Sequence, residues 1–426
     1  MKKSEAVINK TLLPNGVKVI SQKMPHIRSV SMGVWVNVGA RDESDRENGL
    51  SHFIEHMIFK GTARRSAYQI AKEFDAIGGQ SNAFTSMEHT CYHAKVLDNH
   101  METMVDILTD IFLNSTFDPQ EVERERPVIC QEIGMLEDAP EDFVHLLSGH
   151  NFWGDHPLGR SILGTRENIL NFDSPVIKDF FNRFYHPERI VVAVCGNVDH
   201  GRLLDLVAPT FGGIVSGESL PERYAPEITP GTRIHYRELE QVHVCLSTPG
   251  LSITDPRRFA LSLLNSLLGG NMSSRLFQEI RERRGLAYSV YSYIASHVDT
   301  GMFGIYAGVH PDNVQQTLEL IVQELNTICK TPITAAELQD AKEFTKGNLI
   351  LATESVDNQM VRLAQNEIHF NDYIPLESVI DNIESVTAEE IQELARTLFR
   401  SDQSGVTVLG QVDDKTDFKS FINSLL

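Results

Sequence analysis

The chain has 426 residues, of which 41% are hydrophobic and 23% are charged, an average composition for a globular protein. At roughly 150 residues per domain it forms two or three domains with real cores, which excludes a disordered, collagenous or disulfide-scaffold chain. Lys plus Arg number 38 against 58 Asp plus Glu, so the net charge is −20. A field of that sign repels phosphate backbones and anionic lipids. It disfavours nucleic acid and membrane surfaces as partners and favours basic peptides or cations.

The sequence predicts a cytoplasmic protein without membrane insertion. Two lysines near the start are typical of a signal peptide, but Asn9, Lys10 and Asn15 interrupt the region where an apolar stretch would follow. The most apolar run elsewhere, 190–195, is far shorter than the ~20 residues of a membrane-spanning helix. The five cysteines are odd in number and scattered, which favours buried free thiols in a reducing compartment. They are Cys91, Cys130, Cys195, Cys245 and Cys329.

The predicted elements of the first half are, in chain order, a strand at 30–36, helices at 48–60 and 66–77, a strand pair, and a helix at 98–113. Near the midpoint, the stretch 212–232 is rich in glycine and proline and poor in apolar residues. That composition is typical of a linker.

The second half repeats the order of the first. Its predicted elements are a strand at 242–246, helices at 255–268 and 273–284, strands within 286–309, and a helix at 312–328. Strands and helices mix without strict alternation, which favours an α+β class with mainly antiparallel sheets. We therefore predict two homologous domains, residues 1–215 and 233–426, joined by a linker at 216–232.

A candidate metal site lies in the apolar helix of the first half, at His52-Phe53-Ile54-Glu55-His56. At ~100° per residue, His56 lies ~40° round the helix from His52 and about one turn along, so both imidazoles can reach one ion. Glu55 falls ~60° to the other side, where it flanks the ion without needing to bind it. This is the zinc-peptidase HEXXH arrangement in reverse order. The alternative is two surface histidines, but polar groups on so apolar a helix are costly unless something binds them.

Catalytic zinc needs a third protein ligand and an open position for water. The segment 118–121 begins a helix, with Asp at the N-cap and Pro after it. Glu132 lies on the predicted inward face of this helix, and Glu125, seven residues earlier, has nearly the same azimuth. From spacing alone, Glu132 is one of several candidates for the third ligand, and Glu125 is a candidate supporting carboxylate of the catalytic site.

These motifs together resemble the pitrilysin, or M16, family of metallopeptidases. Glu132 follows His56 by 76 positions, and the stretch 79–90 is similar to that family's active-site edge strand. The resemblance extends through 184–187 into the second half and covers nearly the whole chain. The short two-domain length is similar to the M16B branch, which includes mitochondrial processing peptidase and its bacterial relatives.

The resemblance implies one zinc ion per chain, bound by His52, His56 and Glu132, with Glu55 as general base. It also implies the fold of M16 and LuxS-like metallohydrolases, in which two such domains face each other as a clamshell and the second domain has no metal motif. It further implies a homodimer.

The resemblance also implies roles for residues outside the zinc motif. The edge strand implies that a peptide substrate pairs with Asn82 and Ala83. In the family, an Arg and a Tyr seven positions apart reach the substrate at the zinc site, and Arg281 and Tyr288 have that spacing. From the residues alone, the favoured interpretation is a solvated helix-face charge for Arg281 and a core aromatic for Tyr288.

The predicted function is a zinc endopeptidase that cleaves peptides or short unfolded segments in an enclosed acidic chamber. Nine acidic and two basic residues lie between Asp118 and Asp142, which favours basic peptides as substrates unless this run is only a solvated helix face. A second hypothesis is a noncatalytic peptide-binding or assembly subunit of an M16B complex. A third is metal-dependent chemistry on a small molecule.

Overall fold

The computed structural model describes residues 7–217, 222–412 and 417–425, so residues 218–221 of the predicted linker lie outside the described part. The strands are β1 (Val7–Leu12), β2 (Lys18–Lys23), β3 (Ser29–Val36), β4 (Gln80–Thr85), β5 (Thr90–Leu97), β6 (Ile190–Gly196), β7 (Gly231–His235), β8 (Val242–Pro249), β9 (Ala287–Ser296), β10 (Gly301–Val309) and β11 (Gly405–Leu409).

The helices are α1 (Leu50–Ile58), α2 (Ala67–Ala76), α3 (Met101–Asn114), α4 (Pro119–Asp138), α5 (Pro140–Trp153), α6 (Arg166–Asn171), α7 (Ser174–Phe184), α8 (His200–Phe211), α9 (Arg258–Leu268), α10 (Val314–Lys330), α11 (Ala335–Ala352), α12 (Val356–Phe370), α13 (Leu376–Ser385), α14 (Ala388–Leu398) and α15 (Phe418–Asn423). Throughout the described ranges, none of these helices combines the length and the hydropathy that a bilayer crossing requires. The five cysteines are free, and four of them are buried.

The chain forms two compact units, each assembled from three segments. The first consists of Met1–Gly134, Ser161–Arg223 and Leu351–Tyr373, and the second of Met135–Arg160, Tyr224–Ile350 and Ile374–Leu426. Each unit therefore contains one helix from the opposite half of the sequence, α12 in the first unit and α5 in the second. The predicted domains are continuous in sequence and differ from the compact units in these two helices.

The two sheets share one strand topology. The strand order is β1-β2-β6-β3-β5-β4 in the first unit and β7-β11-β8-β10-β9 in the second. The pairs β2/β6 and β7/β11 are parallel, and the other neighbouring strands pair antiparallel. If β1 is left aside, each sheet has five strands. In both sheets the fifth strand of the repeat lies between the first strand and the second strand. This confirms the predicted two-domain α+β fold, and the shared topology is what the internal repeat predicts.

The sheet of the first unit is buried on both faces. Strands β3 and β6 are buried at nearly every position, because helices including α1 and α3 cover one face and α12 covers the other. This explains why β6 is apolar throughout instead of alternating. On the α12 side, Trp35 Nε1 donates to Met360 Sδ at 3.3 Å. A Cβ at Gly33 would lie 2.5 Å from the same sulfur, so any larger residue there would displace the methionine side chain.

Charge fixes the far end of α12 against the same sheet. The buried carboxylate of Glu367 forms ion pairs with Lys10 Nζ at 2.8 Å and with Lys18 Nζ at 2.9 Å. The helix ends at Asn371, which has a φ of +53°, and its side-chain oxygen lies 3.0 Å from Lys18 Nζ. Apolar packing and two ion pairs from partly exposed lysines to one buried carboxylate together hold this helix on the first sheet.

In the second unit, α5 lies on its sheet through polar contacts. Ser148 Oγ and Ser247 Oγ are 2.7 Å apart in a buried position. His145 Nε2 lies 2.7 Å from Tyr291 OH, which in turn donates to Glu141 Oε1 at 2.9 Å. Glu141 is one of the acidic residues between 118 and 142, so this carboxylate has a partner within its own unit.

We expect Met360→Ala to lower the free energy of unfolding by about 2–4 kcal/mol, because Met360 is fully buried against Trp35 and its removal leaves a cavity. The matched control is Leu351→Ala, at a side chain that is 65% exposed, which should change this free energy by less than about 0.5 kcal/mol. Urea unfolding followed by far-UV circular dichroism measures both. Equal midpoints for the two variants would contradict a packing role for α12.

Candidate metal centre

Helix α1, which carries the sequence-predicted motif, begins at a tight turn. Gly49 precedes it with a φ of +106°, a conformation that favours glycine. A Cβ at Gly49 would also lie 3.0 Å from Gly164 Cα. The chain is therefore held close to a neighbouring loop at the point where α1 starts.

A loop carboxylate caps this helix because Gly49 has no side chain to do so. Glu43 Oε2 accepts the Gly49 N–H at 2.8 Å, and Glu43 Oε1 accepts the Ser51 N–H at 2.6 Å. Asn48 Nδ2 adds a third hydrogen bond at 3.1 Å. Glu43 is fully buried, so it satisfies the open N–H groups of the first turn where no water can reach them.

Three side chains converge on one point beside α1. Nε2 of His52 and Nε2 of His56 lie 3.5 and 3.4 Å from the same Glu132 oxygen, Oε2. Within the described residues, these three form the set whose ligand atoms are close enough together to hold a metal ion. Atoms placed ~2.0–2.1 Å from zinc at tetrahedral corners lie about 3.3 Å apart, so the observed spacing fits zinc. Two imidazoles and one carboxylate also leave the fourth position open.

The charges around the histidines suit a cation. Burial, with a smaller effect of His56, lowers the pKa of His52 to about 3, so this imidazole is neutral as a metal ligand must be. Burial also acts to lower the pKa of His56, but its contact with Glu125 and the charge of Glu132 outweigh burial and raise it. The carboxylates that attract a proton to His56 also attract a metal ion.

Glu125 supports His56 from behind. Its Oε1 lies 3.3 Å from His56 Nδ1, on the side of the ring away from Glu132, and its Oε2 pairs with Lys60. Burial acts to raise the pKa of Glu125, but the contacts with His56 and Lys60 lower it overall. His52 has no such support, since its buried Nδ1 has no hydrogen-bond partner within the described chain. Helix α4 runs through Pro127 and still presents both Glu125 and Glu132 to His56.

Glu55 lies next to this set and is not part of it. Burial raises the pKa of its carboxyl, against hydrogen bonds from Thr85 and the charge of His56 that lower it. Thr85 Oγ1 donates to Glu55 Oε2 at 2.6 Å. Sequence reasoning missed Thr85, although Ala83 and Thr85 must share a face of the strand because side chains alternate along it.

The strand that carries Thr85, β4, is the last strand of its sheet. Asn82 is exposed and Ala83 is buried, and the Ala83 N–H donates to Asn82 Oδ1 at 2.9 Å. The structure therefore places the predicted peptide-binding residues on an edge strand whose face toward α1 contacts the Glu55 side chain.

Arg281 and Tyr288 lie in the second unit and contact each other. The Arg281 guanidinium lies 4.6 Å from the centre of the Tyr288 ring and 4.8 Å from that of Phe277. Arg281 belongs to a π-helical turn, Phe277–Glu282, where the sequence predicts a regular helix. Tyr288 lies on the edge strand β9 and is 77% exposed, so it is not a core aromatic. The stacked rings hold the guanidinium in one orientation.

Fold and site together define a two-domain α+β protein with a candidate His–His–Glu metal centre in one half. Comparison with protein families gives two matches, one to insulinase (peptidase family M16) over residues 18–166 and one to the peptidase M16 inactive domain over residues 171–344. The chain belongs to the M16, or pitrilysin-type, family of metallopeptidases. The segment matched to the inactive domain contains none of the three candidate metal ligands.

Named relatives and solved structures agree with this family. The chain is 43% identical over 401 residues to an uncharacterized zinc protease of Bacillus subtilis, which covers 93% of this chain and 97% of that protein. It is 41% identical to an uncharacterized zinc protease of Mycobacterium leprae, over 96% of this chain and 93% of the relative. A crystal structure of a protease from Helicobacter pylori matches 95% of this chain and all of that chain, with a TM-score of 0.89 and 24% identity. That last likeness shows the fold.

Glu43 gives the site a pH dependence that can be measured. Burial raises its pKa from 4.5 to about 7, against hydrogen bonds from Ser51, Gly49 and Asn48. Because the folded-state pKa is higher than the unfolded-state pKa, the group favours folding most below pH 4.5. This contribution is lost as the pH rises toward 7. The difference between the two pKa values corresponds to about 3 kcal/mol of unfolding free energy.

We therefore expect the stability of the parent protein relative to Glu43→Gln to fall by about 3 kcal/mol between pH 4.5 and pH 7. Urea unfolding at both pH values, with EDTA present, measures the difference. The control is Glu102→Gln at an exposed carboxylate on α3, whose difference from the parent should change little. A Glu43→Gln difference that is constant with pH would contradict the buried cap.

Proposed function

We propose that the chain is a zinc-dependent endopeptidase in which His52, His56 and Glu132 bind one zinc ion and Glu55 is the general base. The observation that carries this proposal is the convergence of two Nε2 atoms on one carboxylate oxygen, at 3.5 and 3.4 Å, with a fourth polar residue, Glu55, left outside the set. The zinc-protease names of relatives that match nearly the whole chain support it.

Each residue of the site has a separate role in the proposed reaction. Zinc in a site of this kind supplies a Lewis acid that polarises a peptide carbonyl and activates water. Glu55 takes the proton of the attacking water and passes it to the leaving amine. The raised pKa of Glu55 makes its carboxylate a stronger base than an exposed one. Glu125 keeps the His56 ring oriented, because it contacts Nδ1, the ring nitrogen that does not face Glu132.

The edge strand β4 offers a place for the substrate. Its outer side has no strand neighbour in the described sheet, so a peptide in extended form can add there as a further strand. We assign Asn82 and Ala83 to this pairing. Backbone hydrogen bonds then hold the peptide with little demand on its side chains, which suits unfolded segments of varied sequence.

We also assign Arg281 and Tyr288 to binding of the substrate carbonyl oxygen or the neighbouring backbone. The exposed phenol and the stacked guanidinium are both hydrogen-bond donors held in place before any substrate arrives. This part of the proposal rests on the family resemblance, as do the M16B branch and the homodimer. The proposed cytoplasmic location rests on the scattered free cysteines.

The substrate class proposed is peptides, including basic ones. Several carboxylates of the 118–142 run already have partners in the chain: Glu121 pairs with Arg124, Glu123 with Arg126, Glu125 with Lys60, and Asp138 with Arg237. Their negative charge is therefore partly neutralised. The preference for basic peptides depends mainly on the net charge of −20 over the whole chain.

A noncatalytic peptide-binding subunit is the alternative. A binding subunit has no need of a general base beside a complete set of metal ligands, and this chain has both. Chemistry on a small molecule is disfavoured by the edge strand next to the site, which presents backbone groups to an extended chain.

We expect Glu55→Gln to lower kcat/KM for peptide cleavage by about 10²- to 10⁴-fold with an unchanged zinc content, because the amide keeps the shape and loses the base. A quenched-peptide assay and metal analysis measure the two quantities. Glu102→Gln should leave both unchanged, and His56→Ala should lose zinc. Full turnover by Glu55→Gln would refute the assignment. Zinc binding without any cleavage by the parent would identify the noncatalytic alternative.

The charge argument predicts a salt effect that depends on the substrate. Cleavage of peptides with several Arg or Lys residues should slow steeply as ionic strength rises, because salt screens long-range attraction to the acidic protein. Neutral peptides of the same length should be affected little. The kcat/KM values of matched peptide pairs over a salt series test this. The same salt response for both classes of peptide would contradict a role of charge in substrate preference.

A further inference from the structure

The hydroxyl of Thr85 is an unusually close neighbour of Glu55. Thr85 Oγ1 donates to Glu55 Oε2 at 2.6 Å, and the next acceptor, the Ser51 carbonyl oxygen, is 3.5 Å away. A hydroxyl has one proton to donate, so the short contact is the one that uses it. This hydrogen bond therefore fixes one oxygen of the Glu55 side chain.

Thr85 is itself held in place. It pairs with Thr90 at the end of the β4–β5 ladder, and the turn that follows is closed by the Ser86 N–H, which donates to the His89 carbonyl at 2.8 Å. Ser86 Oγ accepts the His89 N–H at 3.0 Å in the same turn. A β-branched side chain on such a fixed backbone has little rotamer freedom. The donor to Glu55 is therefore positioned in advance.

We propose that Thr85 is a positioning residue for the general base, which rests on the proposed function. Its hydroxyl holds Oε2 of Glu55, so that the other oxygen, Oε1, is the one that takes the proton from water. Because Thr85 lies two residues after Ala83 on the strand assigned to the substrate, the same strand fixes the peptide and the base. The distance between the scissile bond and the base is then set by the strand backbone.

The competing explanation is that the hydroxyl only satisfies a half-buried carboxylate. Thr90 allows the two roles to be separated, since it lies directly opposite Thr85 in the ladder and its Oγ1 donates to the Val38 carbonyl at 3.0 Å, away from Glu55. Loss of either hydroxyl removes one hydrogen bond from the same hairpin. Only loss of the Thr85 hydroxyl frees Glu55.

The first experiment measures peptide cleavage by the zinc-loaded chain. We expect Thr85→Val to lower kcat by about 10- to 100-fold, the loss of one hydrogen bond to a charged group, with KM within about twofold. Thr85→Ser should stay within about threefold of the parent, and Thr90→Val should keep the parent kcat. Thr85→Ala serves in place of Thr85→Val if that variant does not fold. An unchanged kcat in Thr85→Val, or an equal loss in Thr85→Ser or Thr90→Val, would overturn the proposal.

The second experiment uses the metal-free chain and needs no activity. Thr85→Val should lower the thermal midpoint in the parent background, and by less than half as much in a Glu55→Ala background, because the hydrogen bond is already absent there. Equal losses in both backgrounds would show that Thr85 does not act through Glu55. If this coupling is present but the parent chain cleaves no peptide, the proposed function fails and the hydrogen bond stands as a structural contact only.

Discussion

Helix α1 is buried along most of its length, and the groups that determine its position come from loops and strands around it. Glu43 holds its first turn by accepting the N–H groups of Gly49 and Ser51. The other contacts of the candidate centre depend on the position of this helix. His56 contacts Glu125 and Glu132 on α4, and Glu55 contacts Thr85 on β4. A shift of α1 by a fraction of its pitch would break the convergence of all three elements, so the cap supports the whole site.

Charge balance explains why such a polar group of side chains is tolerated beside a core. The two imidazoles are neutral or weakly basic. The carboxylates next to them are stabilised in different ways, since Glu125 contacts Lys60 and His56 and Glu132 is partly exposed to solvent. Glu55 carries the least compensated burial, which raises its pKa. The carboxylate with the fewest cationic neighbours is therefore the one assigned to move protons, and the well-compensated ones are assigned to hold the metal or its ligands.

Much of this arrangement can be predicted from the sequence, and the parts that cannot be predicted have identifiable physical causes. Helix geometry alone determines how the side chains of His52, Glu55 and His56 are arranged. The sequence of this one helix is therefore enough to predict their placement. Glu132 comes from a second helix, and only the resemblance to a family singled it out. Glu43 and Thr85 act from a loop and a strand, where spacing along the chain gives no distance to α1. The exchange of α5 and α12 was missed because an amphipathic pattern shows that a face is buried and not which sheet buries it.

That exchange has a consequence for the order in which the molecule can be built during translation. The Trp35–Met360 contact joins residues 325 positions apart, and a ribosome adds about 5–20 residues per second. One face of the first sheet is therefore without its covering helix for about 15–65 s after its central strand has been made. Helix α5, by contrast, is synthesised before the sheet on which it lies. The unit that carries the candidate metal ligands is started first and is completed only when most of the other unit has been synthesised.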